Sequence, residues 1–264
     1  VTGASRGLGR AFAQALAAAG AAVAVAARSA SGVSSTAEEI QALGGRAAAY
    51  VLDVTDPAAV EQVVAAAIHD LGPVDLLVNN AGIMAPAGPD WLLDRTAWWR
   101  TFEVNVLGSF HCAQAVLPAM VARGRGRIIN ISTGAVNWPS GYASAYHASK
   151  AAITNWSENL AVTAGAHGIS VFAYAPGFVR SDMTEHLAGS PDVRHWYGEL
   201  FQQVFDEGRD TPLKLTVAVL MALASGRADS LSGCHIADTD LPDQLLRHVE
   251  QIRQEELYVL RTRN

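Results

Sequence analysis

Tyr146 and Lys150, in Ser144-Ala-Tyr146-His-Ala-Ser-Lys150, stand four residues apart. On a helix that spacing puts both side chains on one face, one turn apart. A phenol normally keeps its proton until about pH 10. A neighbouring ammonium stabilises the phenolate, and a proton readily given up is what reduction of a carbonyl requires. The pair alone carries little. Tyr-x-x-x-Lys arises by chance on many helices, where it is a half-buried tyrosine beside a solvated lysine.

A second constellation stands at the start of the chain. Thr2-Gly-Ala-Ser-Arg-Gly-Leu-Gly9 joins a strand end to a helix start. Gly3 permits a tight turn, and Gly7 and Gly9 let backbone approach phosphates and let the helix pack on a sheet. Between them stand Ser5, Arg6 and Leu8, at a helix N-terminus whose free N–H groups suit a pyrophosphate. The spacing is Gly-x-x-x-Gly-x-Gly, not the commoner Gly-x-Gly-x-x-Gly. The next strand ends Val25-Ala-Ala-Arg28-Ser29, with no acid to grip the ribose hydroxyls of NAD. Arg28 offers a fork of donors to a 2′-phosphate, and Arg6 stands within reach of the same group. The pair of arginines and the missing acid favour NADP(H) over NAD(H). Asp53-Val54 ends the third strand, where a carboxylate can accept from an adenine amino group. Asn79-Asn80-Ala-Gly82 ends the fourth, at the edge where such sheets bind ligands.

The elements that position these residues alternate between strand-like and helix-like, which predicts βαβ units and a mainly parallel sheet. Helices are expected at Leu8–Ala19, from a capping box at Thr36-Ala-Glu-Glu39 to Leu43, and from Asp56-Pro57 to Leu71. Others are expected over Thr96–Ala122 despite Pro118, over Tyr142–Ala164, over Val217–Ala224 and as one terminal helix over 241–258. Strands are expected at Ala22–Ala27, Ala47–Leu52, Val74–Val78, Arg127–Ile131, Ser170–Tyr174 and Cys234–Ala237. Residues 180–211 are polar and aromatic without a clear period.

Composition narrows the classes. The 264 residues are 50% hydrophobic and 17% charged, enough for one large α/β domain over 1–264. Net charge is -6 with no basic run, which argues against nucleic acid and anionic membrane as partners. The apolar stretches are alanine-rich and interrupted, so none reads as a spanning helix. Cys112 and Cys234 make no disulfide framework and read as reduced, buried thiols. No targeting peptide is visible, which favours the cytoplasm. The chain opens at Val1 in what reads as the last residue of a strand, so the first strand is expected to be truncated.

Taken together, Thr2-Gly-x-x-x-Gly-x-Gly9, Asp53-Val54, Asn79-Asn-Ala-Gly82, Asn105, Tyr146-x-x-x-Lys150 and Pro176-Gly177 resemble, in order, a single-domain short-chain dehydrogenase/reductase. The resemblance runs from Val1 to about Ala237. It implies a Rossmann-type doubly wound parallel sheet of about seven strands with helices on both faces. It implies hydride transfer between a nicotinamide cofactor and a carbonyl/secondary alcohol pair, with Tyr146 as acid/base. Lys150 would hold the nicotinamide ribose and lower the pKa of Tyr146. Asn105 would interrupt the long helix and hold a water that relays protons to Lys150. The usual serine is Thr133 here, with Ser132 beside it. Neighbours on a strand face opposite ways, so only one can serve, and Thr133 is favoured. Pro176, Gly177 and Val179 would meet the nicotinamide amide. Residues 180–211 would form a lid whose Met183, His195, Trp196, Tyr197, Phe201 and Phe205 suit an apolar or ring-containing substrate. His147 and His195 have no second ligand at a metal spacing, so no metal is expected. The family's habit implies a homo-oligomer, a tetramer or dimer, built through the two long helices. Rival readings are an NAD-preferring enzyme of the same fold and a dinucleotide-binding sensor without turnover. A sugar-nucleotide epimerase fits the glycine spacing poorly.

Overall fold

In the computed structural model, which describes residues 1–137, 141–240 and 242–260, strands and helices alternate as the pattern requires. Strands β1 (Ala22–Ala27), β2 (Arg46–Val51), β3 (Leu76–Asn79), β4 (Gly126–Ile131), β5 (Ile169–Ala175) and β6 (His235–Ala237) pair in parallel throughout. They form a two-stranded sheet, β1-β2, and a four-stranded one, β3-β4-β5-β6. Val1 and Thr2 lie between the two. Thr2 bridges Ala26 of β1 in parallel, and its N–H donates to Val78 of β3 at 3.0 Å. This short bridge takes the place of the expected seventh strand and joins the halves.

The central strands are buried on both sides, and all seven residues of β5 are inside. Their period-two alternation divides the core. Ile129, Ile131, Phe172 and Tyr174 face one apolar cluster with Phe12, Leu16, Leu220 and Ile236. Ile128, Ile169 and Val171 face the other with Leu77, Val116 and Met120. Helices α1 (Gly7–Ala18), α2 (Ala30–Ala42) and the later α10 (Leu213–Ala224) supply the first side. The second is covered by α3 (Pro57–Leu71), the run α4 (Arg95–Phe102), π segment (Glu103–Leu107) and α5 (Gly108–Arg123), and α6 (Ser144–Gly165). The fold is therefore the doubly wound α/β sandwich.

Several sequence expectations need correction. Helix α2 starts at Ala30, not Thr36. Ser29 caps it by accepting from Gly32 N–H at 3.2 Å, while Thr36 is buried mid-helix and donates to the Gly32 carbonyl. A run of Ser and Gly conceals a helix whose buried Val33, Ala37 and Ile40 are one turn apart. The single terminal helix is broken into α11 (Pro242–Leu245), a 3-10 turn (Leu246–His248) and α12 (Val249–Gln254). Leu241, expected to open it, lies outside the described residues. Residues 180–211 hold α7 (Asp182–Gly189), α8 (Pro191–Tyr197) and α9 (Leu200–Asp206), each too short to show a period. The run Arg95–Arg123 contains an 18-residue stretch of mean hydropathy 1.3, high enough by length and composition to cross a bilayer. Here Cys112, Ala113, Val116 and Met120 pack it into the second core cluster as a core helix. Asp56 does cap α3, as its sequence suggests, by accepting from Ala59 N–H at 3.1 Å.

Candidate active site

The C-terminal ends of the strands open onto one cleft of about 700 Å³. Gly3, Ser5, Arg6, Gly7, Leu8, Gly9, Arg28, Asp53, Val54, Asn80, Thr133, Tyr146, Lys150, Pro176, Gly177 and Val179 all line it. Asn105, the remaining residue expected in the catalytic set, stands behind the wall, fully buried.

The glycine turn owes its shape to its composition. Gly3 and Gly7 have φ of +63° and +53°, in the left-handed region that favours glycine. A Cβ on Gly9 would overlap the Gly3 carbonyl oxygen. The Asn80 side chain ties the turn to β3, donating to Thr2 O at 2.9 Å and Gly3 O at 3.2 Å. The turn thus leads directly into the first turn of α1, with amides free for an anion.

Arg6 and Arg28 are both exposed at this end of the cleft. Asp53 is more committed than its sequence suggests. Its Oδ1 accepts from Thr55 N–H and Oγ1, at 3.0 and 2.8 Å, and its Oδ2 pairs with Arg100 at 3.3 Å. Burial raises its pKa, but the Thr55 hydrogen bonds and the charges of Arg100 and Arg28 outweigh that, and the carboxyl is held below its usual range. Arg100 carries no sequence signal for this role.

At the other end, α6 presents Tyr146 and Lys150 to the cleft. Lys150 is 5% exposed, and its Nζ donates to the Ile131 carbonyl at 2.6 Å and lies 5.8 Å from the Tyr146 ring centre. Burial pulls the ammonium down to about 8. Burial also pushes the Tyr146 phenol up to about 12, opposed only by a hydrogen bond with the Thr133 hydroxyl. The expectation that Lys150 lowers Tyr146 is therefore not what the protein alone delivers. Desolvation dominates both groups and favours their neutral forms.

Ser132 and Thr133 lie just past the end of β4, and each bonds to a different part of α6. Ser132 Oγ is buried, sharing a hydrogen bond of 2.7 Å with Thr154 Oγ1. Thr133 turns to Tyr146. Asn105 sits in the π segment, so the long helix is interrupted there. Its Oδ1 accepts from Ile83 N–H at 2.8 Å; its Nδ2 donates to Ile83 O at 3.0 Å and to Ser149 Oγ at 2.9 Å. Ser149 in turn donates to the Tyr146 carbonyl at 2.7 Å. A Cβ on Gly82 would lie 3.2 Å from Asn105 Oδ1 and 3.5 Å from Lys150 Nζ, so Gly82 keeps that corner open. Sequence reasoning missed Ser149, although its position three after Tyr146 puts it on a neighbouring helix ridge.

Past β5, Gly177 has φ of +78°, and a Cβ there would collide with Asp238 and Thr211. Val179 is buried, and Ser181 caps α7 in a box with Thr184. Above this turn Phe178 stacks on Phe201, Tyr197 packs on Phe201, and Tyr142 meets both Trp196 and Tyr197. Of the lid residues named from sequence, Met183, Tyr197 and Phe201 line the cleft, while His195, Trp196 and Phe205 do not.

A parallel sheet with a glycine turn leading into its first helix and a Tyr-Lys pair at its C-terminal edge defines a class. The family model for short chain dehydrogenases matches residues 1–191, and the chain belongs to that family. It is 41% identical over 194 residues to a short chain dehydrogenase of Pseudocercospora fijiensis (strain CIRAD86), a match covering 73% of this chain and 61% of that protein. It is 40% identical over 191 residues to the 3-oxoacyl-(acyl-carrier-protein) reductase FabG of Escherichia coli (strain K12), covering 71% of this chain and 75% of the other. Among solved structures, a single-substitution variant of the actinorhodin polyketide ketoreductase with NADPH superposes with a TM-score of 0.81 at 30% identity, over 90% of this chain and 93% of that one.

Proposed function

We propose that the protein is an NADP(H)-dependent oxidoreductase that interconverts a carbonyl and a secondary alcohol, with Tyr146 as acid/base. The observation that carries this is the continuity of the cleft, which runs from the glycine turn to Tyr146 and is lined by Lys150 and Thr133 at its reacting end.

The residues fit a dinucleotide. The turn leaves helix N–H groups free for the pyrophosphate, and its glycines admit no side chain into the approach. Arg6 and Arg28 supply cations where a 2′-phosphate would be recognised, and Asp53, which lines the same cleft, is engaged by Arg100. The solved relative with NADPH supports the same preference. When bound, the nicotinamide supplies or takes up the hydride.

The chain's own residues then do the proton work. Tyr146, held protonated by burial, donates to the substrate oxygen during reduction. Thr133 orients that oxygen with its hydroxyl and steadies the phenol. Lys150, still mostly charged at neutral pH, binds the nicotinamide ribose and draws the phenol's proton loose as charge develops. Asn105 holds the Tyr146 turn in place through Ser149; a water on its backbone side would return protons to Lys150. Val179 and the Pro176-Gly177 turn hold the amide end of the cofactor. Met183, Leu187, Leu200 and Phe201 line the cleft beside this centre, which supports an apolar, ring-bearing substrate.

Exposed Trp99, Leu107 and Phe110 on the α4–α5 run, with Val162 on α6, support a homo-oligomer built through those helices.

Titration of the purified protein with NADPH and NADH, in the parent and in Arg28→Asp, tests the cofactor assignment. Tight NADPH binding that weakens about tenfold or more in the variant, with NADH little changed, is the expected result. Equal loss for both, or none, would remove Arg28 from the 2′-phosphate site.

A further inference from the structure

His147 follows the tyrosine and is not used by the chemistry above. Its imidazole is half-buried and lines the cleft. The ring lies 5.7 Å from the Tyr146 ring, at an interplanar angle of 57°. Among the described residues, no hydrogen bond engages either of its ring nitrogens, so a donor and an acceptor remain available. Burial lowers its pKa, which leaves the ring uncharged at neutral pH. The nearby lid contributes Met183, Leu187, Leu200 and Phe201, all apolar.

Binding clefts of this kind fix the orientation of a ligand with a few polar groups on a mostly apolar wall. Thr133 and Tyr146 are committed to the reacting oxygen. His147 is beside them, with neither ring nitrogen engaged by a hydrogen bond among the described residues. We propose that His147 is a specificity-determining residue that hydrogen-bonds a second oxygen of the substrate, so that the preferred substrates are uncharged ketones carrying a hydroxyl or carbonyl near the reacting carbonyl. This rests on the carbonyl-reductase reading and adds to it a substrate class. An uncharged imidazole can meet either kind of oxygen, as donor to a carbonyl or as either partner to a hydroxyl.

The test uses two ketones that differ by one hydroxyl, 4-hydroxy-4-phenylbutan-2-one and 4-phenylbutan-2-one, reduced with NADPH by the parent, His147→Phe and His147→Asn. The parent should favour the hydroxyketone in kcat/KM by about two- to tenfold, the effect of one net neutral hydrogen bond, and chiefly through KM. His147→Phe should bring the ratio to about one while still reducing the simple ketone. His147→Asn, which keeps a polar group and is the safer variant to fold, should retain part of the preference. NADPH titration of each variant checks that the cofactor end is intact. A parent ratio near one, or the same ratio in the parent and both variants, would overturn the assignment while leaving the carbonyl-reductase reading standing. Reduction of neither ketone by a parent that binds NADPH would instead count against that reading, and against this one with it.

Discussion

At the scale of single residues, the pair Ser132 and Thr133, just past the end of β4, shows how packing assigns chemistry. Both carry a hydroxyl, and their different partners on α6 separate them. Ser132 is spent on Thr154 inside the fold, and Thr133 reaches Tyr146. Thr133→Ala should therefore lower kcat by about 100-fold, the usual effect of losing a donor at a reacting oxygen, with stability nearly unchanged. Ser132→Ala should cost about 1 kcal/mol of stability and leave kcat within a few-fold of the parent. Steady-state kinetics and urea melts of both variants check this; the reverse pattern would exchange the two roles. Much of this was legible in advance. The Tyr-Lys spacing, the glycine turn and the two-residue alternation follow from local geometry. What was not legible was environment. Sequence places an ammonium near a phenol, but it cannot say that burial acts on each more strongly than either acts on the other. The partners Arg100 and Ser149 are likewise invisible, because each is brought to its target by packing between distant segments.

At the scale of elements, the π segment is the hinge between the second core layer and the site. Asn105 satisfies both backbone groups of Ile83 and, through Ser149, anchors the carbonyl of Tyr146. Asn105→Ala would strand an N–H and a carbonyl in the interior. We expect a loss of about 2–3 kcal/mol in chemical denaturation, with the m-value unchanged, and a fall in kcat as the Tyr146 turn loosens. A variant as stable as the parent would mean that water or another side chain replaces the amide. The same scale explains where sequence reasoning failed. A capping signature at Thr36 was real chemistry in the wrong place, because Ser29 caps a helix that buries Thr36 by tertiary packing. The terminal stripe of leucines suggested one helix, but the chain bends to bring Tyr258 O against the N–H of His235, which covers the edge of β6. The lid's short helices carry too few turns for a period to appear.

At the scale of the whole molecule, the site imposes a stability cost on the fold. The amino group of Lys150 is buried, and its pKa falls from 10.5 to about 8. At about 1.4 kcal/mol per pH unit, that is a penalty of about 3 kcal/mol. The unfolded chain binds the extra proton between pH 8 and 10.5, so this contribution raises stability as pH climbs through that window. Below about pH 8 the penalty is present in full. Lys150→Met should accordingly raise Tm at pH 7, lose the gain as pH approaches 10.5, and abolish turnover. Thermal melts across that range check the sign, and no gain at pH 7 would show that the Ile131 carbonyl bond compensates the buried charge. The two halves of the sheet, joined by the Val1–Thr2 bridge, deliver the glycine turn and the helix carrying Tyr146 and Lys150 to the same edge. The claim that this edge performs carbonyl reduction through a tyrosine proton is tested most directly by Tyr146→Phe, assayed for NADPH binding and for ketone reduction on the same sample. The expected result is an NADPH Kd within a few-fold of the parent and turnover reduced by about 100- to 10,000-fold. A Phe variant that reduces ketones at the parent's rate would contradict the mechanism at its centre.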